Sequence, residues 1–268
     1  MYKLNAFQEL QKLKFEIHLT DHCNLNCVGC NHYSPLADSF YLDITAYERD
    51  CKRIWDLTKG NVQEIDLLGG EPLLHHNLQE IFTTSSKYFP TAKIILVTNG
   101  ILLAKQEEAF WKSCQKNQIQ ILITKYPINI NYDTIIEKAK RFNVICAYGI
   151  NRNSGIKKME CIPINPNSHK NAEDNFMRCY KANNCITLRN GRLYTCCTIP
   201  AVFYLKKYFN LPIDISPDNG IDIHTANSIE EIMKFLSRPV AFCRYCDFDH
   251  RRVDLPWSIS KKELHEWT

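Results

Sequence analysis

Apolar and polar positions follow a regular beat through the first 150 residues, in which short β-branched runs give way to stretches with helical spacing. The runs at 15–20 (FEIHLT), 64–68 (EIDLL), 93–98 (KIILVT), 119–124 (IQILIT) and 143–148 (NVICAY) predict five strands. Between the first two, Thr45-Ala46-Tyr47-Glu48 reads as a capping box opening a helix that stops near Gly60. Further helices are predicted over 78–88, 106–116 and 134–141, and a sixth strand over 158–162 (KMECI). This alternation predicts an α/β fold with a parallel sheet, too short for eight βα units and therefore an open, partial (β/α)6 TIM-like barrel.

Beyond residue 150 the beat fades. Residues 151–175 are rich in Asn, Pro, Ser and Lys, and 186–195 form a hairpin pattern turning at Asn190-Gly191. The closing WSISKKELHEW (257–267) has the spacing of an amphipathic helix docking two tryptophans. The expected organisation is a βα core over 1–150, extending to about 165, a linker or substrate-side loop over 151–178, a cysteine-rich extension with a β-hairpin over 179–250, and a docking helix over 251–268.

Composition narrows the function. With 268 residues and 45% hydrophobic content, the chain is long enough for a full core. No apolar run approaches membrane-spanning length and the amino terminus lacks a signal-peptide core, so a cytoplasmic protein without membrane contact is expected. The net charge is only +4, and the densest basic stretch, His250–Arg252, is three residues long, which argues against nucleic-acid binding. Thirteen cysteines in such a chain point to metal or catalysis rather than disulfides.

Cys23, Cys27 and Cys30, in CNLNCVGC, are spaced so as to leave one iron of a [4Fe–4S] cluster without a protein ligand. Zinc sites assemble from separated pairs, and electron-transfer cubanes use four thiolates, so a compact triplet fits neither. This C-x3-C-x2-C string, directly after the first predicted strand, resembles the signature of radical S-adenosylmethionine (SAM) enzymes. The resemblance implies that three thiolates hold a cubane whose fourth iron binds SAM, and that one electron then cleaves SAM to a 5′-deoxyadenosyl radical. Many members carry an aromatic residue before the third cysteine, where this chain has Gly29. A neighbour such as His32 or Tyr33 is expected against the adenine instead.

The string Gly69-Gly70-Glu71-Pro72, about 40 residues on, matches the family segment that contacts the SAM amino group. Strand ends in such barrels carry function, which singles out Thr98 and Asn99 beside the cofactor, Thr124 for the ribose, and Lys125 and Tyr126 at the mouth. Lys125, Tyr126 and Arg152 are the candidates for substrate binding or proton abstraction. Asn-Gly at 99–100 is equally an ordinary turn, and Lys125 reads first as a solvated loop residue and second as a substrate contact.

The later cysteines, with CRYC at 243–246, resemble the twitch or shortened SPASM extension of the same family. By that resemblance Cys179, Cys196, Cys243 and Cys246 hold an auxiliary [4Fe–4S] cluster, with structural zinc as the alternative and Cys185 or Cys197 as substitute ligands. Cys51, Cys114, Cys146 and Cys161 are expected to pack as small hydrophobes. A short barrel with a twitch extension is similar to the radical SAM dehydrogenase of an aminocyclitol. The resemblance therefore implies oxidation of a small polar substrate (a sugar, nucleotide sugar or cyclitol), with flavodoxin or ferredoxin as reductant. Three alternatives stand: a carbohydrate epimerase using Cys197 as hydrogen donor, a peptide or protein maturase, and a non-catalytic iron–sulfur carrier or zinc module.

Overall fold

A computed structural model describes residues 13–149 and 155–268. Five parallel strands, β1 (Leu13–Thr20), β2 (Val62–Gly69), β3 (Lys93–Thr98), β4 (Gln120–Ile123) and β5 (Cys146–Tyr148), lie side by side in the order β5-β4-β3-β2-β1. Helices α1 (Ile44–Thr58), α2 (Leu78–Tyr88), α3 (Glu108–Lys116) and α4 (Tyr132–Arg141) alternate with them. Side chains on a strand point alternately to its two faces. In β1, Phe15, Ile17 and Leu19 join Ile54, Ile81, Phe82 and Trp111 in the main core, which leaves Glu16, His18 and Thr20 on the opposite, concave face. The partial barrel is as expected, and it does not close among the described residues.

Two expectations about its elements need correcting. The helix after β1 is capped by Asp43, whose carboxylate accepts the Ala46 N–H at 2.7 Å, so Thr45 lies inside the first turn rather than at its cap. Residues 158–162 do contain a strand, β6 (Met159–Cys161), but it pairs antiparallel with a later one, β10 (Arg252–Leu255), in a separate two-stranded sheet. The sixth parallel position belongs to β7 (Thr187–Arg189), the first strand of the hairpin. It runs beside β1 with Glu16 opposite Thr187 and Ile17 opposite Leu188. An exposed strand edge demands partners for its N–H and C=O groups; the hairpin supplies them, beginning with Glu16 N–H to Ile186 O at 2.7 Å.

The hairpin turns at Asn190-Gly191 as read, with φ values of 50° and 71°. Its second strand β8 (Arg192–Tyr194) pairs antiparallel with β9 (Gly220–Asp222), so the extension continues the barrel's own sheet. A second apolar core, including Tyr33, Leu36, Ile164, Val202, Phe242 and Trp267, gathers around α5 (Phe203–Phe209). The 10-residue-scale amphipathic pattern at the carboxyl terminus is not a helix. It is an extended strap ending in a 3-10 turn over Leu264–Glu266. The physical reason is the cysteine loop, whose backbone groups need partners: Val28 N–H bonds Ser258 O at 3.0 Å and Ser260 N–H bonds Asn26 O at 2.8 Å.

The barrel and the second core are joined by a buried charge cluster. Asp21, 1% exposed, accepts two bonds from Arg189, at 2.8 and 2.6 Å, and one from the Tyr204 hydroxyl at 2.6 Å. Burial works to raise the Asp21 pKa, but the hydrogen bonds from Arg189 and His18 outweigh it and hold the carboxyl well below the usual range. Removing one partner of a buried pair leaves the other uncompensated, so Arg189→Met is expected to cost about 3–5 kcal/mol. Since the folded pKa lies below the unfolded value of about 3.9, wild-type stability from this pair is full above that pH and is lost on further acidification. Urea unfolding of wild type and variant from pH 3 to pH 7 measures both effects, and equal midpoints throughout that range would refute the assignment.

Candidate active site and metal centres

The three cysteines of the first set sit on the loop leaving β1, at the carboxyl end of the parallel strands. Cys27 is buried and Cys23 and Cys30 are partly so. Leu25 N–H points at Cys23 Sγ (3.3 Å) and Trp257 Nε1–H at Cys27 Sγ (3.1 Å). Burial pushes the Cys27 thiol up to about 11 and raises Cys23 further. Such thiols ionise when a metal binds them, and N–H groups aimed at sulfur are the contacts that tune a cluster.

The strap covers the Cys27 side of this loop. Trp267, 1% exposed, donates its indole N–H to Cys30 O at 3.0 Å. Gly29 has a φ of 59°, and a Cβ there would lie 3.3 Å from Glu266 O. The strap thus occupies the room that an aromatic side chain before the third cysteine would need. Tyr33 does not take that role: it is 2% exposed and turned into the second core, with its ring 6.3 Å from Trp267. The expectation that it meets an adenine is corrected.

Next to the cysteine loop lies the Gly69-Gly70-Glu71 segment. A Cβ at Gly70 would come within 2.1 Å of His22 O, so only glycine lets the two backbones meet. Glu71 is fully buried, and its carboxylate accepts from Thr98 Oγ1 (2.7 Å), Asn99 N–H (3.0 Å) and Leu73 N–H (3.1 Å). It therefore ties the ends of β2 and β3 together. Asn99 in turn donates from Nδ2 to Asn24 Oδ1 at 2.7 Å, beside Cys23. Thr124 begins the loop after β4 and its N–H bonds Thr98 O at 2.8 Å. The structure brings Gly69, Gly70, Glu71, Thr98 and Asn99 to the first cysteine set, with Thr124 on the adjoining strand end.

The residues singled out for proton chemistry fare differently. Tyr126 is half-buried beside Cys27, and desolvation together with the neighbouring cysteines raises its pKa well above 10. Lys125 holds its ammonium 4.4 Å from the Tyr148 ring centre and 5.0 Å from that of Tyr132. Arg152 lies outside the described residues.

Cys179, Cys196, Cys243 and Cys246 line one small cavity together with Phe176, Phe242 and Phe248. Asn175 Nδ2–H groups hold the CRYC turn through Cys243 O (2.9 Å) and Cys246 O (2.8 Å). Four thiolates on one zinc sit about 3.8 Å apart, given Zn–S bonds of about 2.3 Å. Among the described residues, the set of three potential ligands drawn mutually within 4.8 Å is Glu16, His32 and Cys197, and neither cysteine centre is so contracted. The donor sets, three thiols at the first centre and four at the second, are of the kind that holds [4Fe–4S] clusters. Cys185 and Cys197, on either side of the hairpin in sequence, do not line the cavity and neighbour each other instead.

Sequence reasoning missed Lys181, which is 5% exposed and donates to Asn31 Oδ1 at 2.8 Å. Burial works to lower its pKa, but neighbouring Cys197, Cys196 and Cys246 outweigh it and raise it. Its sequence surroundings carry no motif, so only the fold shows that it stands between the two cysteine centres.

Residues 16–134 match a protein-family model described as "4Fe-4S single cluster domain". The chain is 37% identical over 94 residues to the GTP 3′,8-cyclase of Synechocystis sp., which covers 34% of this chain and 27% of that protein. It is 29% identical over 133 residues to the GTP 3′,8-cyclase of Clostridium botulinum, covering 50% and 38%. The chain thus spans about a third of the length of these curated relatives. Among solved structures, BtrN in complex with AdoMet and 2-DOIA superposes with a TM-score of 0.54 at 15% identity, over 90% of this chain and 98% of that one. Native anSMEcpe with bound AdoMet gives a TM-score of 0.52 at 12% identity, over 88% and 83%. At these identities the likeness shows the shared fold.

Burial pushes the Glu71 pKa up to about 7 against the pull of Thr98 and the Asn99 and Leu73 amides. A raised acid pKa means that ionisation costs the folded state, so stability falls as pH rises from the unfolded value of about 4.3 to about 7 and is flat above. Glu71→Gln cannot ionise. Wild type is expected to lose melting temperature relative to this variant across that window, as read by calorimetry of the apoprotein, and parallel curves would contradict the assignment.

Proposed function

We propose, from the premise that the chain belongs to the radical SAM superfamily, that it is an oxidoreductase acting on a small polar substrate of the sugar, nucleotide-sugar or cyclitol class. The observation that carries this reading is the meeting of the Cys23/Cys27/Cys30 loop with the Gly69-Gly70-Glu71 segment at one barrel mouth, backed by a second four-cysteine cavity. When bound, the first cluster and SAM supply one-electron cleavage to a carbon radical that abstracts hydrogen from an unactivated C–H bond.

What this chain's residues do follows from their placement. Glu71, Thr98 and Asn99 fix the mouth, and the strap places the Trp257 and Trp267 indole N–H groups on Cys27 Sγ and Cys30 O. His18, on the concave face with its Nε2 lacking a partner, offers a hydrogen-bonding group suited to a hydroxyl-rich substrate. Support for a small substrate comes from BtrN, a protein of matching extent whose solved complex holds 2-DOIA. Lys125 is assigned to hold the substrate or take its proton, and Arg152, which lies outside the described residues and stays charged, to hold the substrate. A flavodoxin- or ferredoxin-like reductant and a cytoplasmic setting belong to the same proposal. Among the described residues no helix is long and apolar enough to cross a membrane.

Epimerisation is the second reading, favoured by one observation: Cys197 follows the auxiliary ligand Cys196 but turns away from its cavity toward Glu16 and His32. Its hydrogen would then reach the substrate radical.

The deciding assay is 5′-deoxyadenosine release by the reduced, anaerobically reconstituted protein. A cyclitol and nucleotide-sugar pool is expected to stimulate release several-fold and to yield a product two hydrogens lighter, with Cys23→Ala abolishing both. A product of unchanged mass carrying solvent deuterium would select the epimerase. Stimulation by peptides alone would move the assignment to maturation, and no release despite intact clusters would reject radical chemistry.

A further inference from the structure

Outside both cysteine centres, three side chains of different chemistry converge on the concave face of β1. Glu16 projects from β1, His32 follows the first cysteine set, and Cys197 follows Cys196; their ligand atoms lie mutually within 4.8 Å. Glu16 and Cys197 are buried, at 8% and 4% exposure, and His32 is half-buried. Two groups that ionise to anions are thus held together out of water, with the buried Lys181 ammonium beside Cys197 as a single compensating charge, an arrangement that costs free energy unless further positive charge joins it.

The contacts around the three resemble the supporting shell of a metal site. His32 Nδ1 lies 2.9 Å from Gly69 O, which fixes Nδ1 as the protonated nitrogen and leaves Nε2 as the ring's donor atom. Thr187 Oγ1–H donates to Glu16 Oε1 at 2.9 Å and so orients the carboxylate, and the Cys185 thiol hydrogen-bonds Cys197. Metal-bound histidines almost always spend their second nitrogen on a carbonyl or carboxylate, and metal-bound carboxylates are themselves hydrogen-bonded. One thiolate, one imidazole and one carboxylate make a borderline-soft donor set that suits zinc or a similar divalent ion, and three protein ligands leave a position for water or a substrate oxygen.

We propose that Glu16, His32 and Cys197 form a third metal site that takes a single Zn2+-like cation, separate from both cysteine centres. The site does not depend on the substrate reading above. In it Cys197 is a ligand and not a hydrogen-atom donor.

The test is zinc analysis and zinc K-edge absorption spectroscopy of the holoprotein, reconstituted with iron and sulfide, exposed to Zn2+ and desalted. One zinc per chain is expected, with a single sulfur at about 2.3 Å and the remaining ligands nitrogen or oxygen at about 2.0–2.2 Å. Cys197→Ala and His32→Ala are each expected to lose that zinc while keeping the wild-type iron content, which reports an intact fold. Less than half an equivalent of zinc, a sulfur-only shell that Cys197→Ala leaves in place, or a shell without sulfur would each overturn the proposal. If a variant fails to fold, the wild-type ligand shell decides alone.

Discussion

The arrangement depends on β1 being hydrogen-bonded along both edges. On one side it pairs with β2, whose end carries Gly69 and leads into Gly70 and Glu71, and on the other with β7, whose hairpin leads into Cys196. Its own carboxyl end releases the Cys23/Cys27/Cys30 loop. One strand thereby sets the positions of the first cysteine centre, the glycine segment and one wall of the second cavity. A single-residue slip of register would turn Glu16 and His18 into the apolar core and Phe15 and Ile17 out of it, so the pattern of burial and the placement of the chemistry are fixed by the same pairing.

Charge is the second organising constraint. The interface between barrel and extension buries Asp21, Glu16 and Lys181 and half-buries Arg189, groups that rarely go inside unpaired. Arg189 answers Asp21 through two bonds, while Lys181, anchored on Asn31, stands close to Cys196, Cys197 and Cys246. A buried ammonium there offsets the negative charge that thiolate-ligated clusters bring, and local charge is one of the levers on cluster potential. Lys157, whose pKa burial depresses, lies near Cys27 and Cys30 in the same way.

The strap shows a third economy. The cysteine loop must be irregular to present three thiols to one cluster, and irregular backbone leaves N–H and C=O groups without partners. Residues 257–268 supply those partners, cover Gly29 and place two indole N–H groups on Cys27 Sγ and Cys30 O. Tertiary demand overrides helical periodicity here, for a segment whose Lys262 takes a φ of 59° that no helix interior allows.

The sequence by itself determined the local and the covalently spaced features. Strands β1 to β5, helix α2 over Leu78–Tyr88, the Asn190-Gly191 turn, the cysteine triplet and the glycine segment are legible because each depends on residues close in the chain. The four auxiliary cysteines were legible only through family resemblance, since their spacing spans 179 to 246. Tertiary structure alone decided what no window of sequence contains: that β7 and not residues 158–162 extends the parallel sheet, that Tyr33 turns inward, that Tyr126 serves Cys27, and that Glu16, His32 and Cys197 converge. Contacts between residues some 15 to 180 positions apart follow from which edges and faces remain unsatisfied after the local elements form, and that quantity exists only in three dimensions.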